Sequence, residues 1–167
     1  MIVSWHCFNH RLELAVSDAV KACTEVNTFK MFLDTVYALY STSPKFNREL
    51  FSIASQLSIQ LSRIGRILDT RWSASSCRTI QAIWQCYGAL YRHFSGKSDE
   101  AGLDGKEKAK FSGMAKKLSN PGFIQHLALM YDALEELADL SLALQRSDIN
   151  VLMAHKLISK QVAVFSA

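Results

Sequence analysis

Much of what would assign this chain quickly is missing from it. No stretch approaches the roughly 18 uninterrupted apolar residues that a membrane-spanning helix requires, so no membrane role is expected. The four cysteines, at positions 7, 23, 77 and 86, include no Cys-x-x-Cys pair, and the first thirty residues hold no charged region followed by an apolar run and a cleavage site. A reduced, intracellular, soluble protein is the expectation. Of the seven glycines, Gly96, Gly102 and Gly105 match neither the P-loop nor the dinucleotide spacing, which argues against a nucleotide cofactor. Charge is also modest: 20% of residues are charged, and 19 basic against 15 acidic residues give a net +4. Such a balance permits a nucleic-acid partner without indicating one. No repeat of fixed period is visible.

What is present is apolar and periodic. With 49% hydrophobic residues in 167, the chain can bury a sizeable core, and disorder is not expected for most of it. Leu12, Ala15, Val16, Ala19, Val20 and Cys23 recur at three- and four-residue steps, opposite Arg11, Glu13, Asp18 and Lys21. Phe29, Phe32, Leu33, Val36, Tyr37 and Tyr40 form a second stripe. Ser43 and Pro44 read as the cap and first turn of a third helix carrying Phe46, Leu50, Ile53, Leu57 and Leu61. The spacing predicts helices over 9–25, 28–41, 44–64, 75–94, 122–145 and 149–165, with a short basic helix in "KAKFSGMAKKLSN" that stops at Asn120-Pro121. Residues 64–70 read as a short strand or extended connector, and the glycine-bearing, mixed-charge stretch 95–106 as a flexible loop. The expected fold is mainly α, an irregular helical bundle.

One short motif carries chemistry on its face. "SWHCFNHRLELAVSDAV" places Cys7 and His10 in a Cys-x-x-His pair at the head of the first helix. A structural zinc site takes four Cys or His ligands, commonly as two close pairs, and the second pair is missing; Cys77, Cys86 and His93 fall in a different helical segment. No metal and no other cofactor is therefore expected. A Cys/His nucleophile would need an orienting group and an oxyanion hole that the sequence does not nominate. The bland reading is that Cys7 and His10 pack and hydrogen-bond at a helix start.

Four stretches occur together in order: "CFNHRLELAVSDAV", "FLDTVYALYSTSPK", "LDTRWSASSCRTIQAIW" and "LALQRSDINVLMAHKLI". In combination they resemble the middle of transposase-like proteins of the hAT superfamily, and the resemblance spans essentially the whole chain. It implies part of a ribonuclease-H-like core over 1–72 and part of its helical insertion over 73–167. In that family three acidic residues hold two metal ions for phosphoryl transfer. The resemblance places the first two before the Cys-x-x-His helix and the third beyond the insertion, so no catalytic residue is expected here and the chain is expected not to be an enzyme. Asp18, Asp34 and Asp69 are expected to be helix-surface or turn residues.

Carried over, Arg71 and Trp72 become the nucleic-acid contacts, and Cys7, His10 and Arg11 a supporting motif beside them. An indole gives a base a stacking face worth about 1 to 3 kcal/mol, and an arginine fork suits a phosphate; the alternative is that Trp72 plugs the junction between core and insertion. The implied function is a non-catalytic fragment or domesticated derivative of a hAT transposase in the nucleus, with DNA as its partner and no small-molecule substrate. The alternative is an α-helical module that binds a protein partner or forms a homo-oligomer through Phe8, Leu12, Phe29 and Phe32.

Overall fold

The computed structural model describes residues 7–66 and 72–166. Eight helices account for nearly all of them: α1 Phe8–Ala22, α2 Thr24–Thr42, α3 Pro44–Gln56, α4 Trp72–Gln85, α5 Tyr87–Asp99, α6 Gly105–Leu118, α7 Pro121–Leu144 and α8 Val151–Phe165. Among the described residues there is no strand, and no helix is long and apolar enough to cross a membrane. The expected irregular α bundle is what the chain forms.

Side-chain caps set several of the boundaries. Ser43 accepts from the Phe46 amide ahead of Pro44, Asp104 from Glu107, Asn120 from Phe123 ahead of Pro121, and Asn150 from Met153. Each bond satisfies one of the orphan amides of a first turn. The third helix stops well short of the expected residue 64. Ser58 takes the left-handed conformation at φ 54°, with Ser58 N donating to Ser55 O at 3.2 Å and Ile59 N to Ala54 O at 2.9 Å. This pair of bonds is a Schellman ending, with serine where glycine is usual. From there the chain runs without helix through residue 66, as a connector rather than a strand. Residues 67–70, the rest of the expected strand, lie outside the described residues.

Two more expectations are corrected. The single helix over 75–94 is two, broken at Cys86, whose thiol turns back to Ala82 O at 2.8 Å. The loop over 95–106 shrinks to residues 100–104, because α5 continues through Asp99. Gly96 and the polar residues around it suggested a loop, but Lys97 is 6% exposed and bonded to Glu49 and Glu100, and that fixed partner keeps the last turn helical. Tertiary contact here overrides local propensity.

α5 packs closely along α6 and against α3, α4 lies along α7, and α1 touches α2, α4 and α7. One buried cluster draws on both sides of the boundary expected at residues 72 and 73, from Phe29 and Phe32 through Ala54 to Ile80, Phe94, Phe111 and Leu134. Phe32 meets Phe123 edge-on at 4.9 Å between ring centroids, and Phe46 meets Phe111 at 5.3 Å. Phe29 and Phe32, expected on an open interface, are therefore core residues at 5% and 2% exposure. Phe8 and Leu12 are half-buried in a smaller cluster with Leu140, Leu144 and Ala154. Leu57, expected to face the core, is 38% exposed because the helix turns away at that point.

A polar chain crosses the main core. Tyr40 Oη lies 2.7 Å from His93 Nδ1, His93 Nε2 lies 3.1 Å from Glu49 Oε2, and Lys97 Nζ donates to Glu49 Oε1 at 2.9 Å and also to Glu100. The geometry is satisfied if the imidazole donates through Nε2 to the carboxylate and accepts from the tyrosine hydroxyl at Nδ1. Burial holds His93 below the usual histidine range despite Glu49, so the ring is neutral at pH 7. Burial alone would raise Glu49, but the Lys97 and His93 hydrogen bonds outweigh it and hold the carboxyl below its ordinary range. Burial pushes the Tyr40 hydroxyl upward, leaving it a donor. His93, weighed in the sequence as a distant metal ligand, is occupied in this chain of bonds.

Candidate nucleic-acid interface

The Cys-x-x-His pair forms a helix cap. Cys7 is the N-cap of α1, with extended backbone, and its Sγ accepts from the His10 amide at 3.4 Å. The three-residue spacing that suggested metal ligation is also the spacing between an N-cap and the amide it satisfies. His10 contributes its backbone to that bond; Cys7, His10 and Arg11 are all exposed. Among the described residues, no group of three or more His, Cys, Asp or Glu side chains converges where a metal could be held. Cys77 and Cys86 are placed for packing, since burial pushes Cys86 up to about 12 and also raises Cys77, while Cys23 Sγ donates to Glu25 Oε2 at 3.4 Å.

From its cap, α1 is docked at two points. Asn9 Oδ1 accepts from Ser141 Oγ at 2.6 Å, and Gln145 Nε2 donates to the same hydroxyl at 3.1 Å, which seats the helix start on the end of α7. A cleft of about 440 Å³ opens beside it, lined by Cys7, Phe8, Asn9, Leu144, Gln145, Arg146 and Ile149. Arg146 on its rim is taken up by a fork to Asp148, at 2.9 and 2.6 Å.

The second point is the one that matters for the predicted site. Glu13 is buried on α1 and aims its carboxylate at the first turn of α4, accepting from Ser73 N at 3.2 Å and from Ser73 Oγ. Its negative charge lies where the helix offers unsatisfied amides and the positive end of its dipole. Ser73 follows Trp72, the first residue of α4, so the bond joins the Cys-x-x-His helix to the Arg-Trp segment across 60 residues of sequence. Arg71 lies outside the described residues, and for Trp72 the backbone position is what the structure gives.

Glu13 was placed on the polar face by its residue type. Its position says otherwise: Asn9, Glu13, Val16 and Val20 follow one another at steps of four, three and four, which is one face of a helix. Two polar residues on a face that continues in valines were the available signal for buried hydrogen bonding. Of the acids set aside as non-catalytic, Asp18 pairs with Lys21 in solvent at 3.6 Å, Asp34 is half-buried on α2, and Asp69 lies outside the described residues. No protein-family model matches this chain, and no solved structure matches it.

Proposed function

We propose that this chain is a non-catalytic derivative of a hAT-type transposase that positions nucleic acid without cutting it, acting in the nucleus and taking no small-molecule substrate. The observation that carries the reading is the bond from Glu13 to Ser73. The resemblance rests mainly on two motifs far apart in sequence, and a buried, charge-assisted hydrogen bond ties the helix of the first to the start of the helix carrying the second. In this reading Arg71 meets a phosphate and Trp72 stacks on an unpaired base, while Cys7 and His10 support them by starting α1 in register.

The test is a fluorescence titration with hairpin-ended DNA, followed with Mg²⁺ present. The expected outcome is binding that weakens with salt and by roughly tenfold in Trp72→Ala, as loss of one stacked base implies, with no strand cleaved above a buffer control. Unchanged affinity in Trp72→Ala would refute the contact. Cleavage lost on replacing Asp18, Asp34 or Asp69 would refute the non-catalytic reading.

A second reading, an α-helical interaction module, is favoured by α8. Val151, Leu152, Val162 and Phe165 are each at least 50% exposed, and Ala154 is the helix's buried side chain. Exposed apolar surface of this kind marks association sites. Concentration-dependent dimerisation in sedimentation, with no affinity for DNA, would favour it over the first.

A further inference from the structure

The net charge of this protein is concentrated on one helix. α6 carries Lys106, Lys108, Lys110, Lys116 and Lys117 against Glu107, five basic residues and one acidic. Removing these from the 19 basic and 15 acidic residues of the chain leaves 14 of each, so α6 accounts for the whole formal +4. Lys106, Lys110, Lys116 and Lys117 are exposed and Lys108 is half-buried. Among the described residues none of the five lies within ion-pair distance of a carboxylate, and Asp104, the N-cap of α6, is engaged in accepting from the Glu107 amide.

The lysines are also ordered along the helix. Positions 106, 110 and 117 differ by four and seven residues and so fall on nearly one line, which at 1.5 Å per residue extends about 16 Å. Lys116 lies about 100° around the helix from Lys117, and the two meet in a cleft of about 450 Å³ at the α6–α7 corner, lined by Lys116, Lys117, Asn120, Gly122, Phe123 and His126. The cleft contains no acidic residue. Phe111, Met114 and Leu118 hold the other face of α6 in the core, so the row is carried on a fixed element.

We propose that this lysine row is a docking surface for the phosphate backbone of nucleic acid, bound without regard to sequence. The surface is cationic over a length that spans about five base pairs of duplex at 3.4 Å per step. It offers no exposed aromatic or arginine anchor of the kind that dominates protein interfaces. Its apolar side is already committed to the core, so α6 cannot lie in a lipid surface as an amphipathic helix does. Lysine ammonium groups act as point charges on phosphates and carry no base readout. The inference stands apart from Arg71 and Trp72.

The experiment measures affinity for a labelled random-sequence duplex from 50 to 200 mM salt, using the wild-type chain and three variants. In Lys106→Gln/Lys110→Gln/Lys116→Gln, removal of three phosphate contacts lowers the log–log salt slope by about 2.7, so the fall in affinity over that range becomes about 40-fold shallower. Lys117 is left in place because its ammonium sits 5.8 Å from the Phe32 ring centroid. Lys21→Gln/Lys156→Gln/Lys160→Gln removes the same charge elsewhere and keeps the wild-type slope, and Trp72→Ala, read with hairpin-ended DNA, reports the Arg-Trp contact separately. Matching circular dichroism and melting curves establish that the variants are folded. The proposal is overturned if the wild type shows no salt-dependent binding, if the α6 variant keeps the wild-type slope, or if the control triple variant loses as much. An unchanged slope in the α6 variant together with weakened hairpin-DNA binding in Trp72→Ala would overturn this row and leave the Arg-Trp contact standing; a lowered slope in the α6 variant with unchanged hairpin-DNA binding in Trp72→Ala would do the reverse.

Discussion

Replacing Glu13 by alanine unhooks α1 from α4. The carboxylate accepts two bonds from Ser73, a residue with no exposed surface, so removal strands a buried amide and a buried hydroxyl at once. Hydrogen bonds to a charged group contribute about 1.5 to 3 kcal/mol each, and part of that is offset because a charge no longer has to be buried. The expected net loss is about 2 to 4 kcal/mol. For a chain of this size that corresponds to a melting temperature lower by roughly 5 to 15 °C. Urea denaturation of Glu13→Ala, Ser73→Ala and the double variant measures the coupling directly. A coupling energy of about 1 kcal/mol or more is expected, since residues sharing one hydrogen-bond network are not additive. Glu13→Gln should recover part of the loss, because the amide oxygen still accepts but without charge. A Glu13→Ala variant within about 0.5 kcal/mol of wild type would show that the α1–α4 joint contributes nothing to stability, and the site built on it would lose its support.

Phe32→Ala should cost about 3 to 5 kcal/mol, since the ring is 2% exposed and packed on Phe123, whereas Leu57→Ala at 38% exposure should cost under about 1 kcal/mol; equal losses in denaturant melts would refute the assigned faces. Stability should fall as pH drops through the ordinary histidine value of 6.5, because His93 is held lower in the folded state and the unfolded chain takes up that proton first. Glu49, also lowered, adds a second loss as pH falls further through its carboxylate range, and Lys97, raised by its partners, adds a loss at alkaline pH above 10.5. His93→Gln should flatten the first of these steps in melts between pH 5 and 8; an unchanged step would assign it to another group.

The second stripe shows how much periodicity alone can reveal: of the residues named from spacing, Phe29, Phe32, Leu33, Val36 and Tyr40 are core, Tyr37 is half-buried, and Leu39 is a core residue the spacing did not name. Capping chemistry was equally legible at Ser43 with Pro44, because a cap is a local bond between near neighbours. What escaped were interactions between residues far apart in sequence. Lys97 holds α5 helical by reaching Glu49, and no window around Gly96 contains that partner. Glu13 reads as surface by residue type and as core by position, and the contradiction resolves only when Ser73 is brought beside it. The break at Ser58 was hidden because its left-handed conformation usually advertises itself with glycine. For the candidate site, the Cys-x-x-His spacing was plain but its meaning was not, since the same interval serves a metal pair and a helix cap.

The smaller apolar cluster links the two ends of the described chain. Ala154 and Leu157 of α8 share it with Leu140 and Leu144 of α7 and with Phe8 and Leu12 of α1. With Ala154 as its buried side chain, α8 is expected to open at a free energy below global unfolding, which amide exchange would read. Because the first and last helices of the described chain bury apolar side chains against the same end of α7, a partner that clamps α8 there is expected to lower amide exchange in α1 as well.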